Sequence, residues 1–244
     1  DVRSTMAYLD DQSFQIDVYS PSHKICIEYN GLFWHSEGNK THYDLKHSDK
    51  TQACKNQGRR LLHIWSHEWE DRQEQVKDFI KSAFGLFTRR VFARKCKIIE
   101  VLDKSVVKDF LNANHLLGAC TYSKALGLYL EEELLGVGLL GRHHRTNRLN
   151  VAKRFAFLRE VQVVGGVSRL SKHLLQVCPE DSLITWGEIR LGVESAYIKS
   201  GWVLEQESAP DYFYWDDKNR QAVSKQSLKH LTRKKTGMTE REHT

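Results

Sequence analysis

Two short apolar runs, Phe14-Gln15-Ile16-Asp17-Val18-Tyr19 and Ile25-Cys26-Ile27, are joined by Ser20-Pro21-Ser22-His23, and the second run leads straight into Glu28. The flanks favour strands and the linker favours a turn, so the segment predicts a β-hairpin with an acid on each strand. An acid at the end of a buried strand needs a reason, because burying an unpaired carboxylate is costly. Two such acids can hold a divalent cation through their oxygens. The next residues, Tyr29-Asn30-Gly31-Leu32-Phe33-Trp34-His35, add a histidine that can supply a ligand or a proton. This is the chemistry of metal-assisted phosphodiester hydrolysis. A blander reading stays open at this point, since acids on solvent-facing strand positions are common. Phe33 and Trp34 read more simply as core residues than as base wedges. His42, His63 and His67 read as surface or hydrogen-bonded histidines, and Asp44 and Asp49 as solvated acids.

Length favours two modest domains over one, since 244 residues exceeds the usual single-domain size. No run of ~18 apolar residues exists, so no membrane span is expected. No secretory apolar region opens the chain, and a start at Asp1 reads as a fragment. Five cysteines lie far apart with no Cys-x-x-Cys pair, which fits a reduced, intracellular protein without a zinc knuckle. Only three prolines argue against long disordered linkers.

Charge is unevenly placed. Residues 1–87 hold 11 Lys or Arg against 13 Asp or Glu, residues 88–216 hold 18 against 15, and residues 217–244 hold 8 against 3. The basic end, with Lys225, Lys229, Arg233, Lys234 and Lys235, is the expected phosphate contact, although a solvated helix end or tail explains it equally well. Arg142, Arg145 and Arg148 mark a second basic loop.

Periodicity orders the rest. A helix is predicted over 50–57 and ended by Gly58, then a strand over 59–65. A further helix over 71–84 places Val76, Phe79, Ile80 and Ala83 on one stripe, with Gly85 as its stop. Hairpin, helix, strand, helix suits a mixed α/β sheet. Thr88-Arg89-Arg90 is the expected junction. Beyond it the sequence predicts a strand over 97–102, a helix over 104–114, and a hairpin of 125–130 with 133–140. Then come a strand over 154–164, a Gly165-Gly166 turn, a helix over 169–177, a strand over 183–186, a helix over 193–200 and a strand over 202–205.

Two resemblances follow. The strings Gln15-Ile16-Asp17-Val18-Tyr19 and Ile27-Glu28-Tyr29-Asn30-Gly31-Leu32-Phe33-Trp34-His35 resemble the very-short-patch repair (Vsr-like) nucleases. They resemble still more their phage-encoded homing-endonuclease relatives within the PD-(D/E)XK (restriction-endonuclease-like) fold. The likeness continues through Tyr43, His47, Lys50, Cys54 and Gly58 into Leu61-Leu62-His63-Ile64-Trp65-Ser66-His67-Glu68-Trp69, about the first third of the chain. It implies catalytic roles for Asp17, Glu28, Asn30, His35, His47 and Lys50, with Asp17 and Glu28 binding Mg2+ or Mn2+. Asn30 stands where the strict motif has lysine, so the resemblance leaves that task to Lys50 or to His35. Relatives often carry a further acid on an upstream helix, and only Asp1, Asp10 and Asp11 remain to supply it.

The second half, through Val163-Val164-Gly165-Gly166-Val167-Ser168-Arg169-Leu170, Ser195-Ala196-Tyr197-Ile198-Lys199-Ser200-Gly201-Trp202 and Pro210-Asp211-Tyr212-Phe213-Tyr214, is similar to Mom-like relatives of the Gcn5 acyltransferases. In that family the glycine loop offers backbone N–H groups to a coenzyme pyrophosphate at a helix N-terminus. Val167 takes the place of the expected Gly or Ala, and a β-branched residue would crowd the loop. This departure speaks against coenzyme binding, while the likeness in layout still implies the fold.

The expectation is therefore an α/β protein of three parts: a nuclease domain over 1–87, an acyltransferase-like domain over 91–216 serving as a DNA-binding platform, and a basic tail over 217–244. Its expected function is metal-dependent endonucleolytic cleavage of double-stranded DNA, homing-like, inside a host cell, with homodimerisation open. Two alternatives stand beside it: an acyltransferase-like DNA base-modification enzyme, and a DNA-binding protein with a degenerate nuclease site.

Overall fold

The computed structural model describes residues 2–31, 44–143, 149–178, 182–192, 194–208, 213–216, 218 and 221–224. The first unit is built on a four-stranded sheet of β1 (Arg3–Leu9), β2 (Gln12–Ser20), β3 (Ile25–Asn30) and β4 (Arg60–Trp65), in that spatial order. β1–β2 and β2–β3 are antiparallel, and β3–β4 is parallel. A parallel pair needs a crossover, which α1 (Asp44–Asn56) provides. Phe14, Ile16, Cys26 and Leu61 from the sheet pack with Ala53 and Cys54 from α1. The predicted hairpin is present, with its turn at residues 21–24. Its partner β1 was not anticipated, and Asp10 and Asp11 lie in the tight β1–β2 turn rather than on a helix. Asp10 takes a left-handed φ of 51°, which short polar side chains tolerate in such turns.

β2 carries a bulge. Thr5 pairs with Ile16 but Arg3 pairs with Tyr19, so β2 spends one residue more than β1 between Ile16 and Tyr19. Asp17 sits in that irregularity, a device that re-aims side chains and is frequent beside active sites. α1 begins at Asp44, well before the expected start at residue 50. After β4 the chain forms α2 (Ser66–Asp71), which hydrophobic periodicity did not reveal, and then the expected amphipathic helix α3 (Gln73–Ala83), with Val76 buried.

The second unit has a four-stranded antiparallel sheet of β6 (Lys97–Glu100), β7 (Lys124–Leu130), β8 (Glu133–Arg142) and β9 (Asn150–Phe157). α4 (Lys104–Asn114) covers one face, packing Val107 and Leu111 on Ala125, Val137, Leu139 and Ala156. α5 (Gly166–Gln176) covers the other, packing Leu170 and Leu174 on Leu126, Leu128, Leu135, Leu140 and Ala152. Gly165 caps α5 at a left-handed φ of 76°, and a Cβ on Gly166 would lie 2.4 Å from the Phe157 ring. The two glycines thus serve a strand-to-helix turn and close packing.

Several expectations are corrected here. The single strand over 154–164 is two strands, β9 and β10 (Val161–Val164). They part at Glu160, whose φ is 63°, whose N–H donates to Asp78 Oδ1 and whose carbonyl accepts from Thr88 N–H. At the expected junction a further strand, β5 (Arg89–Phe92), pairs in parallel with β10. Of the strand over 183–186 only the bridge Val151–Ile184 forms. Residues 202–205 form no strand, because Trp202 instead anchors inward, with its indole N–H donating to Ser171 Oγ. The helix over 193–200 is α6 (Glu194–Lys199). Finally, β11 (Phe213–Asp216) pairs with β12 (Gln221–Ser224), so the expected tail begins inside a hairpin.

The two units are joined by more than the chain. Arg60 Nη2 donates to the Leu191 carbonyl, Gln75 Nε2 to the Asn112 carbonyl, and Lys81 pairs with Glu160. No helix among the described residues is long and apolar enough to cross a membrane.

Candidate active site

Alternation along β3 puts Cys26, Glu28 and Asn30 on one face, and the parallel register sets Glu28 beside His63 and Asn30 beside Trp65 on β4. That face is covered by α1. His47, Lys50, Thr51 and Cys54 are spaced i, i+3, i+4 and i+7, so helical geometry directs all four the same way. The deep end of this layer is apolar, with Cys26 and Cys54 fully buried. The other end is polar, and there the sequence-derived residues meet.

Glu28 is 6 % exposed and forms an ion pair with Lys50. Burial pushes its carboxyl above the ordinary range, Lys50 opposes that shift, and the charge of Asp17 adds to it. Its Oε2 is buried and has no hydrogen-bond partner. Asp17 Oδ2 accepts the backbone N–H of Tyr29, the residue after Glu28, at 2.9 Å. The bulge in β2 therefore brings the two acids to the same end of the β2–β3 pair. Lys50 places a cation from the helix beside Glu28.

Asn30 is 1 % exposed and belongs to a directed chain. Thr51 Oγ1 donates to the His47 carbonyl at 2.9 Å, so it accepts from His63 Nε2, also at 2.9 Å. His63 Nδ1 is then left to accept from Asn30 Nδ2 at 3.2 Å. His47 stands edge-on to His63, ring centroids 5.3 Å apart, and 5.6 Å from the Trp65 ring.

The second unit closes the back of this layer. Arg190 grips Glu68 with both terminal nitrogens, at 2.6 and 2.9 Å, and donates to the His63 carbonyl at 3.2 Å. Glu188 binds Arg190 Nε at 2.7 Å. Glu68 in turn accepts the Trp65 backbone N–H where β4 passes into α2.

Asp17, Glu28, Asn30, His47 and Lys50 are thus brought together. His35 lies outside the described residues, as do Arg145, Arg148, Lys225, Lys229, Arg233, Lys234 and Lys235. Arg142 ends β8, opposite Asn150, on a different sheet from the acids of the first unit. Thr51, Glu68 and Arg190 were not singled out from the sequence, and His63, expected as a surface or hydrogen-bonded histidine rather than a site residue, is buried and hydrogen-bonded here. The α1 spacing could have found Thr51, and the alternation Leu61-His63-Trp65 could have found His63. Nothing local marks Arg190 as a partner of Glu68, 122 residues away.

Comparison with family models, curated proteins and solved structures yields no match.

Among the described residues no group of three or more His, Cys, Asp or Glu is gathered as a metal cage. The donor set still suits magnesium, which keeps several waters and is commonly held by one or two carboxylates together with substrate phosphate oxygens. The orphaned Glu28 Oε2 is the atom that such a cation would satisfy.

Proposed function

We propose that this chain is a metal-dependent endonuclease that hydrolyses phosphodiester bonds in double-stranded DNA. The observation that carries the reading is the buried Glu28, paired with Lys50 and adjoined by Asp17, at the end of β3. A carboxylate held this way, one oxygen on a lysine and the other without a partner, is poor economy for stability alone. It suits a site that awaits a cation and a phosphate. Asp17 and Glu28 would hold Mg2+ or Mn2+, which supplies Lewis-acid polarisation and charge neutralisation at the phosphate. Lys50, an ammonium beside the acids, faces the charge that develops on the phosphoryl oxygens. Asn30, oriented by His63, offers a fixed polar group at the same rim. His35 is the proposed proton donor or acceptor.

The PD-(D/E)XK resemblance agrees with this arrangement, with the lysine moved from strand to helix. The second unit is the proposed DNA platform, and its acyltransferase-like layout enters as fold likeness only. The test is incubation of the intact protein with long double-stranded DNA, with and without Mg2+, followed by mapping of the ends. Metal-dependent nicks or breaks bearing defined ends support the reading. Intact DNA in both samples overturns it.

A further inference from the structure

The first unit carries slightly more acids than bases over residues 1–87, so its charge sum gives no net attraction for phosphate. The second unit has a face that can. Residues 88–97 hold five Lys or Arg and no acid, and residues 161–177, which include α5, hold Arg169, Lys172 and His173 and no acid. The fold lays these two segments side by side: β5 pairs with β10, and α5 packs on the 3₁₀ turn Ala93–Lys95 that follows β5. Arg89 is neutralised by Glu133. Arg94, Lys95, Lys97, Arg169 and Lys172 have no acidic partner among the described residues.

An exposed aromatic lies in the middle of them. Phe92 is 40 % exposed, its strand neighbour Val164 is 38 % exposed, and the Arg94 guanidinium sits 5.0 Å from the Phe92 ring centre. A solvated surface normally intersperses both signs of charge. Two adjoining acid-free segments, with acid reaching them at the Arg89–Glu133 edge and a planar cation stacked on an exposed ring, have the composition that nucleic-acid backbones select.

We infer that the face built from β5, the 3₁₀ turn and α5, with Arg94, Lys95, Lys97, Arg169 and Lys172 around Phe92, binds the phosphate backbone of duplex DNA. The inference rests on the reading of DNA as substrate, and it assigns the contact to residues other than those of the basic loop over 142–148 and the basic chain end. It positions the duplex and reads no sequence, because phosphate contacts fix register without base information.

The experiment measures binding of the full chain to a labelled duplex across a salt series, without Mg2+. The variant is Arg94→Ala/Lys95→Ala/Lys172→Ala, all exposed positions. The control is Lys104→Ala/Lys108→Ala/Lys199→Ala, which removes equal charge from exposed positions elsewhere. Each lost contact lowers the slope of log K against log salt by about 0.9. The expected result is a slope reduced by about 2–3 in the first variant and little changed in the control. An unchanged slope in the first variant, an equal loss in the control, or a loss seen with single strands only, overturns the inference. Cleavage scored separately in Mg2+ keeps the two claims apart. Cleavage with an unchanged slope removes only this face, and a reduced slope without cleavage removes only the nuclease reading.

Discussion

Lys50 on α1 forms an ion pair with Glu28 on β3, bridging 22 residues of chain and tying the crossover helix to the sheet at its polar end. In the proposed reading the pair takes the place of a lysine at position 30, where the strand carries asparagine. A strand-borne lysine would reach the acid from two residues away, whereas a helix-borne one reaches it from above.

Removing the lysine separates the two parts of its role. Lys50→Met is expected to reduce single-turnover cleavage by ~10²–10³, the scale for one preorganised electrostatic group, while duplex affinity stays nearly constant. Affinity and rate falling together would reassign Lys50 to general phosphate binding.

Burial raises the Glu28 carboxyl from its ordinary value of 4.5. A folded-state value above the unfolded one means that the folded chain binds more protons in that window, so stability falls as pH rises through it. Glu28→Gln is expected to flatten this decline in denaturant midpoints. Activity needs the ionised acid, so its acid limb should lie above the usual carboxylate range, and Lys50→Met should move the limb higher, since Lys50 opposes the shift. An acid limb in the ordinary range and unmoved by Lys50→Met contradicts this assignment.

His63 holds Asn30 and Thr51 together. His63→Leu leaves a buried amide donor without its acceptor, at a cost of about 1–3 kcal/mol in urea unfolding. Pairing it with Asn30→Leu should recover much of that loss, because replacing both partners by apolar groups can be nearly neutral. Simple additivity of the two losses would show that the pair is not coupled.

Much of the first unit was legible in its residues. The turn Ser20-Pro21-Ser22-His23 and its flanks marked the hairpin, and the stripe on Val76 and Ile80 marked α3. β1 escaped because Arg3-Ser4-Thr5-Met6-Ala7-Tyr8-Leu9 places only Ala7 fully inside and so lacks a clear alternation. α2 escaped because Ser66 to Asp71 is short and mostly charged or aromatic. The break between β9 and β10 escaped because Glu160 is turned by partners far away in sequence, Asp78 and Thr88. In the site, Asp17, Glu28 and Lys50 could be named from spacing and resemblance. Arg190 could not, because its role is set by contact between units.

That contact has its own test. Arg190→Met strips both terminal hydrogen bonds from the buried Glu68 and is expected to destabilise the protein by about 3–5 kcal/mol. Arg190→Lys should recover only part of this, because an ammonium cannot reproduce the two-pronged geometry. A cycle with Glu68→Gln should show coupling of about 0.5–3 kcal/mol. A coupling near zero would mean that this pair does not link the two units and that Arg60, Gln75 and Lys81 carry the contact instead.

The most direct measurement is the single-turnover rate of Mg2+-dependent cleavage of a long duplex by the intact protein and by Glu28→Gln, at matched DNA occupancy. The expected result is metal-dependent cleavage by the intact chain and a loss of ~10² or more in the variant, with binding preserved. Equal rates for the two proteins, or no cleavage by folded, DNA-bound protein in Mg2+ or Mn2+, would contradict the assignment of Glu28 and its neighbours as a nuclease centre.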